Sequence, residues 1–301
     1  MKQKKRDDER TGTINRVTIV GFAANLLLAA GKLAAGIFGR SGAMVADAIH
    51  SVSDFATDVV VLVFVRLSSK PRDCDHEYGH GKYETLATVL IALALLAVAV
   101  GILVSNGRAI VRVIRGETIP EPGLIAFIAA AVSIVVKEAL YWYTVRAGRR
   151  VQSPMVVANA WHHRSDAFSS VGTLIGIGGA RFLGEQWRIL DPIAAVIVAL
   201  LIVKVSWDLI RPGINELVDK SLPAEIEKQI LELITEDPAV CDPHNLKTRR
   251  IGPSIAIEIH IRLDGDMNVK QSHHITVGIE QRLKQQFGAG TQVIVHVEPL
   301  K

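Results

Sequence analysis

The chain has 301 residues, is 49% hydrophobic, and carries 34 Lys and Arg against 30 Asp and Glu, a formal net charge of +4. A mean hydropathy of +0.29 at this length excludes an ordinary soluble domain and points to a membrane protein. Only two cysteines, Cys74 and Cys241, exclude a disulfide framework, and the mild basic excess fits Lys- and Arg-rich cytoplasmic loops, with no nucleic-acid partner implied.

Residues 1–15 read as a polar, charged cytoplasmic tail with no removable signal peptide. Six apolar segments follow, at about 17–38, 44–65, 85–104, 124–142, 155–179 and 192–210. Each has about the twenty residues that a hydrocarbon core requires. They define an all-α, six-helix transmembrane domain over 16–211. Basic residues cluster in the tail (Lys2, Lys4, Lys5, Arg6), in the second connection (Arg66, Lys70, Arg72, Lys82) and in the fourth (Arg146, Arg149, Arg150). With an even number of spans, both termini then lie in the cytoplasm, at the inner membrane of a cell. Arg108, Arg112 and Arg115 run against this orientation, which is kept because the first helix usually dominates.

The second and fifth segments are the least apolar, and each holds a His-x-x-x-Asp pair: His50 with Asp54, and His162 with Asp166. A spacing of four puts both side chains on one helix face. Asp54 and Asp166 lie about ten and eleven residues into their spans, roughly 15 Å at 1.5 Å per residue, so both fall near the midplane of a roughly 30 Å core. Two imidazoles and two carboxylates at one depth suit a divalent metal such as zinc. The blander reading is a buried hydrogen-bonded cluster without a ligand, and its desolvation cost weighs against it. Asp47 and Asp58 flank the same face and are expected to line the route to the site, water-facing rather than ligating. His163 points away from His162. Lys32, Lys137, Glu138 and Lys204 are further charges within spans, with Lys137 and Glu138 read as a structural pair.

Between spans two and three, Asp73, His76 and His80 can converge on one cation from a bent loop, leaving an open position; a solvated acidic loop is the alternative. After Arg211 the character changes. A helix is expected over 223–236, strands over 245–251 and 254–263, a second helix over 268–287 and a last strand over 291–297. The order α-β-β-α-β makes residues 212–301 a small α+β cytoplasmic domain. His296 and Glu298 share a strand face there; with His260, His244 and His273 they form a candidate metal cluster, and Cys241 and Asp242 lie nearby. Singly, each histidine reads as an ordinary surface residue. No span carries the Glu-x-x-His pairs of a di-iron bundle or the His-Glu-x-x-His of a zinc protease, so an enzyme is not expected. A metal sensor or scaffold without transport remains the rival, and it would not need the midplane site.

Three motifs together carry a resemblance: Ala46-Asp47-Ala48-Ile49-His50-Ser51-Val52-Ser53-Asp54, His76-Glu77-Tyr78-Gly79-His80-Gly81-Lys82-Tyr83-Glu84, and His162-His163-Arg164-Ser165-Asp166. The chain resembles the cation diffusion facilitator family, particularly its bacterial zinc/proton antiporters. The resemblance implies six spans, a metallochaperone-like cytoplasmic domain, a homodimer, and exchange of a divalent metal for protons across the lipid bilayer. It assigns His50, Asp54, His162 and Asp166 to the transport site, and Asp73, His76 and His80 to a loop site. It places His244, His260, His273, His296 and Glu298 at a cytoplasmic metal site at the dimer interface, and makes Lys82 and Asp219 the pair that interlocks the subunits. Zn2+ is then both substrate and regulatory ligand. Fe2+ is the runner-up substrate, followed by cadmium, cobalt and manganese. Some relatives have Asp in place of His50, a version that goes with broader use, including cadmium or iron. Some have Asp in place of Glu298.

Overall fold

The structure, a computed structural model, describes the backbone of all residues except 1, 69–72, 151–153, 253 and 301, and side chains over 16–55, 73–150, 156–157, 159–252 and 254–300. Six long helices come first: α1 (Lys2–Phe38), α2 (Gly42–Ser68), α3 (Lys82–Ile114), α4 (Leu124–Arg150), α5 (Pro154–Phe182) and α6 (Leu190–Leu217). A helix α7 (Ala224–Thr235), strands β1 (Cys241–Ile251) and β2 (Ser254–Leu263), helix α8 (Val269–Phe287) and strand β3 (Gln292–Pro299) follow. The membrane helices and the αββαβ order are those expected. Among the described residues, four stretches are long and apolar enough to cross a membrane, lying in α1, α3, α4 and α6. The two helices that carry the His-x-x-x-Asp pairs are the others.

The chain divides into two compact units, one of residues 1–59 and 91–208, the other of 60–90 and 209–301. In the first, the core is made largely of small side chains, among them Ala35, Ala43, Ala46, Ala99, Ala126, Ala130, Ala195 and Ala199. Small residues let helix backbones approach closely where lipid removes the hydrophobic drive for association. Large side chains turn outward instead: Leu27 is 73% exposed, Val135 68% and Phe168 67%. The start of α2 is tied down by polar contacts. Ser41 caps it by accepting the Met44 N–H at 3.0 Å, and Asp191 of α6 accepts from Ser41 Oγ (2.5 Å) and the Gly42 N–H (2.8 Å). A carboxylate at a helix N-terminus meets both the free N–H groups and the positive end of the helix dipole.

In the second unit, β2 is the central strand, antiparallel to β1 and parallel to β3. Its Ile255, Ile257, Ile259, Ile261 and Leu263 pack with Ile230 and Ile234 of α7 and Ile279 and Leu283 of α8. Alternation therefore puts Glu258, His260 and Arg262 on the opposite face. The parallel β2–β3 pairing requires a crossover, which α8 supplies. The expected division at 211–212 falls inside α6, which continues to Leu217. There Asp219 takes a positive φ of 56°, and N–H groups of Asp219 and Lys220 bond back to the carbonyls of Glu216 and Asn215. This is a Schellman-type end, with Asp in the place that glycine usually takes.

Candidate metal sites

Three groups of potential ligands converge among the described residues. In the first unit, one ligand atom each of Asp54, His162 and Asp166 lies within 4.8 Å of the others. Asp166 is buried, Asp54 half-buried and His162 exposed. The contact between His162 Nδ1 and Asp166 Oδ1 is 3.7 Å, across one helix turn. His50, a turn from Asp54, is not drawn into this trio. Its Nδ1 and the Oδ2 of Asp54 are both buried and have no hydrogen-bond partner. Unsatisfied buried polar atoms cost roughly 1–3 kcal/mol each, so a pair of them one turn apart points to a missing partner.

Several expected side chains have different surroundings. Lys137 does not pair with Glu138. Its Nζ donates to Asp166 Oδ2 at 2.6 Å, with Lys137 only 2% exposed, while Glu138 faces Arg164 at 3.6 Å. Adjacent helix residues diverge by about 100°, which is why the two separate. Asp47 is not water-facing either. It is 1% exposed and forms an ion pair with Lys32 of α1 at 2.8 Å. Ser170 of α5 donates to Asp47, and Lys32 also reaches Ser51 (3.2 Å) and Ser170 (3.1 Å). A charge this deep must be paired, and the partner comes from the neighbouring helix α1. Asp58 lies outside the described side chains. His163 is buried, with both ring nitrogens lacking a hydrogen-bond partner.

The second group is Asp73, His76 and His80, again with ligand atoms within 4.8 Å. Asp73 Oδ1 meets His76 Nδ1 at 3.1 Å, and Asp73 Oδ2 meets His80 Nε2 at 3.2 Å. Partial desolvation works to raise the Asp73 carboxyl, but hydrogen bonds from the His76 backbone and ring outweigh it and hold the group below its ordinary value. Tyr83 Oη bonds His76 Nε2 at 3.0 Å, a contact with no signature in the spacing beyond its seven-residue offset.

The third group is His244, His260 and Glu298. Strand register creates it: His244 lies opposite His260, and His260 opposite His296, so three strands put their histidines in one row. Ring centroids are 5.4 Å apart for the first pair and 4.6 Å for the second. Glu298 meets His260 Nδ1 at 3.1 Å, His244 Nε2 at 3.5 Å and His296 Nε2 at 4.0 Å. The His260 hydrogen bond, with the nearby His244 and Arg262, lowers the Glu298 pKa. Arg262 reaches both Glu298 (3.6 Å) and Asp242 (2.5 Å), a local cation that residue spacing did not suggest. His273 is exposed at the start of α8 and stands apart from the row. The reason is the layering: α8 packs on the isoleucine face, and the histidine row occupies the other. Cys241 is half-buried and is not among the converging ligands.

Lys82 Nζ donates to Asp219 Oδ1 at 2.7 Å within one chain, and Arg249 Nη1 to Asp219 Oδ2 at 3.2 Å. The Lys82 hydrogen bond, followed by the charges of Lys82 and Arg249, keeps the Asp219 carboxyl below its ordinary value.

Long apolar helices with an acid–imidazole cluster set among them, continued by a small domain with a histidine row, define a metal-handling multi-pass membrane protein. A family model described as the cation efflux transmembrane domain matches residues 18–218, and one described as the cation efflux protein cytoplasmic domain matches residues 222–300. The manganese efflux system protein MneP of Bacillus subtilis is 34% identical over 296 residues, covering 97% of this chain and 98% of that protein. Metal tolerance protein C1 of Arabidopsis thaliana is 36% identical over 292 residues, covering 93% of this chain and 61% of that protein. The metal-bound C-terminal domain of the CzcD transporter from Thermotoga maritima is 33% identical, covers 25% of this chain and 87% of that one, and has a TM-score of 0.24. The chain belongs to the cation diffusion facilitator family. It is a transporter for efflux of divalent metal cations rather than an enzyme of the usual kind.

Proposed function

We propose that this protein exports zinc from the cytoplasm in exchange for protons, by alternating access around Asp54, His162 and Asp166, with His50 as fourth ligand. The observation that carries the reading is the convergence of ligand atoms from α2 and α5 within 4.8 Å, next to the unpartnered His50 Nδ1. Two imidazoles and two carboxylates form the tetrahedral set that zinc favours. His50, one helix turn from Asp54, would complete that set on turning its side chain toward it. Imidazole must be neutral to ligate, so protons and metal compete for the same atoms near neutral pH. Rocking of the helices would then expose the site to each side in turn, as in other secondary transporters.

In this reading the protein sits in the inner membrane as a homodimer with both termini cytoplasmic. The loop trio forms an accessory site. The histidine row, with His273, senses cytoplasmic metal at the dimer interface, and the Lys82–Asp219 pair steadies the subunits near the membrane surface. If His260→Ala with His296→Ala leaves both metal binding and metal-dependent activation unchanged, the sensing role is wrong.

Manganese is the second reading, favoured by the name of the relative from Bacillus subtilis; iron(II) follows. The test is metal flux into proteoliposomes under an imposed pH gradient, comparing wild type with Asp54→Ala for zinc, manganese, iron(II) and cadmium. Proton-coupled zinc flux that the substitution abolishes is the expected result. Manganese flux without zinc flux would keep the site and change the substrate. Absence of all flux, with metal still bound, would favour the sensor or scaffold.

A further inference from the structure

Lys137 is a buried cation seated against a candidate metal ligand, and export as described above gives it no part. Among the described contacts, its ammonium donates to one oxygen of Asp166, Oδ2, at 2.6 Å. The other oxygen, Oδ1, is the one that faces His162 Nδ1 at 3.7 Å. Lys137 is 2% exposed and Asp166 9%, so water does not offer the ammonium an alternative partner. The two oxygens of Asp166 are therefore distinguished: one is held by the protein, the other is left toward the ligand trio.

We infer that Lys137 is a specificity-determining positioning residue, which ties up Asp166 Oδ2 so that Asp166 offers a substrate metal one oxygen rather than two. The inference rests on the transport-site reading above. A carboxylate restricted to one oxygen supports low coordination numbers, as zinc takes in tetrahedral sites. Cations that prefer six or more oxygen-rich positions gain from a second carboxylate oxygen, and manganese belongs with that class. The ammonium also offsets one of the two carboxylate charges while leaving Oδ1 free. Selection among metals of similar affinity must come from geometry and ligand number, and Lys137 sets one of those numbers.

The test measures kcat/KM for zinc and for manganese in proteoliposomes of the full chain. Lys137→Met frees Asp166 Oδ2, and the zinc-to-manganese ratio is expected to fall about tenfold relative to wild type. Lys137→Arg keeps the charge but presents a planar fork that engages both carboxylate oxygens. It is therefore expected to raise KM for both metals by about tenfold or more. An unchanged metal ratio in Lys137→Met, or wild-type zinc transport in Lys137→Arg, overturns the proposal. If the Met variant does not yield folded protein, the Arg variant decides alone, because its buried charge stays paired. Asp54→Ala is run beside them: if it transports zinc normally, the transport-site reading has failed, and that result is separate from any effect at Lys137.

Discussion

Lys32→Met should destabilise the membrane domain strongly, and the loss should be reversed by a second substitution at Asp47. Lys32 and Asp47 are 2% and 1% exposed and 2.8 Å apart, so neither charge is solvated by water. Removing the ammonium leaves Asp47 with the Ser170 hydroxyl as its remaining partner among the contacts described, one donor for two oxygens at 3.1 Å each. Breaking a buried pair from one side costs about 3–5 kcal/mol, because the surviving charge is uncompensated. At about 2 °C per kcal/mol, the thermal midpoint in detergent would fall by about 6–10 °C. Replacing both members by apolar groups, as in Lys32→Met with Asp47→Leu, is often neutral or stabilising. Ser51 and Ser170 can then bond carbonyls of their own helices. The assay is thermal unfolding of wild type, the single variant and the double variant in one detergent. A fall of less than about 2 °C in the single variant, or a double variant as unstable as the single, would refute the account of this pair as a buried, mutually dependent tie between α1, α2 and α5.

Tyr83→Phe removes the hydroxyl that bonds His76 Nε2 at 3.0 Å and fixes the ring against Asp73; loop-site zinc affinity should drop about 10–100-fold, the usual range for an orienting partner, in competition titrations with a chromophoric chelator. Metal affinity at the histidine row should fall as pH drops from about 7.5 to about 5.5, because protons compete with metal for the imidazole nitrogens. Glu298 does not contribute there: its pKa is held below the ordinary 4.5, so its ionised form persists above that value and is lost only as pH falls through the lowered one. Glu298→Gln should weaken binding at both ends of that window, as measured by zinc titration of the full chain carrying Asp54→Ala and Asp73→Ala; unchanged affinity would show that the carboxylate is not a ligand.

Local periodicity made much of this protein legible. Runs of about twenty apolar residues mark spans because a bilayer demands that length, and the alternation of Ile255, Ile257, Ile259 and Ile261 marks a strand with one buried face. The His-x-x-x-Asp spacing places Asp54 beside His50 and Asp166 beside His162, because four residues make about one helical turn. The strand register was half legible: alternation puts His260 on the polar face, but only the pairing of three strands aligns it with His244 and His296.

What the sequence by itself determined is which side chains share a face within one element, since helix and strand periods are properties of a single backbone. What only the tertiary structure decided is which faces meet. Helix rotation and neighbour order come from packing among small residues such as Ala46 and Ala130, and no spacing encodes them. That packing sends Lys137 to Asp166 instead of Glu138, buries Asp47 against Lys32, and separates His273 from the histidine row by the thickness of a sheet. The first two outcomes turn on a charge that must find its partner on another element, because inside a lipid-facing bundle water is not there to serve instead.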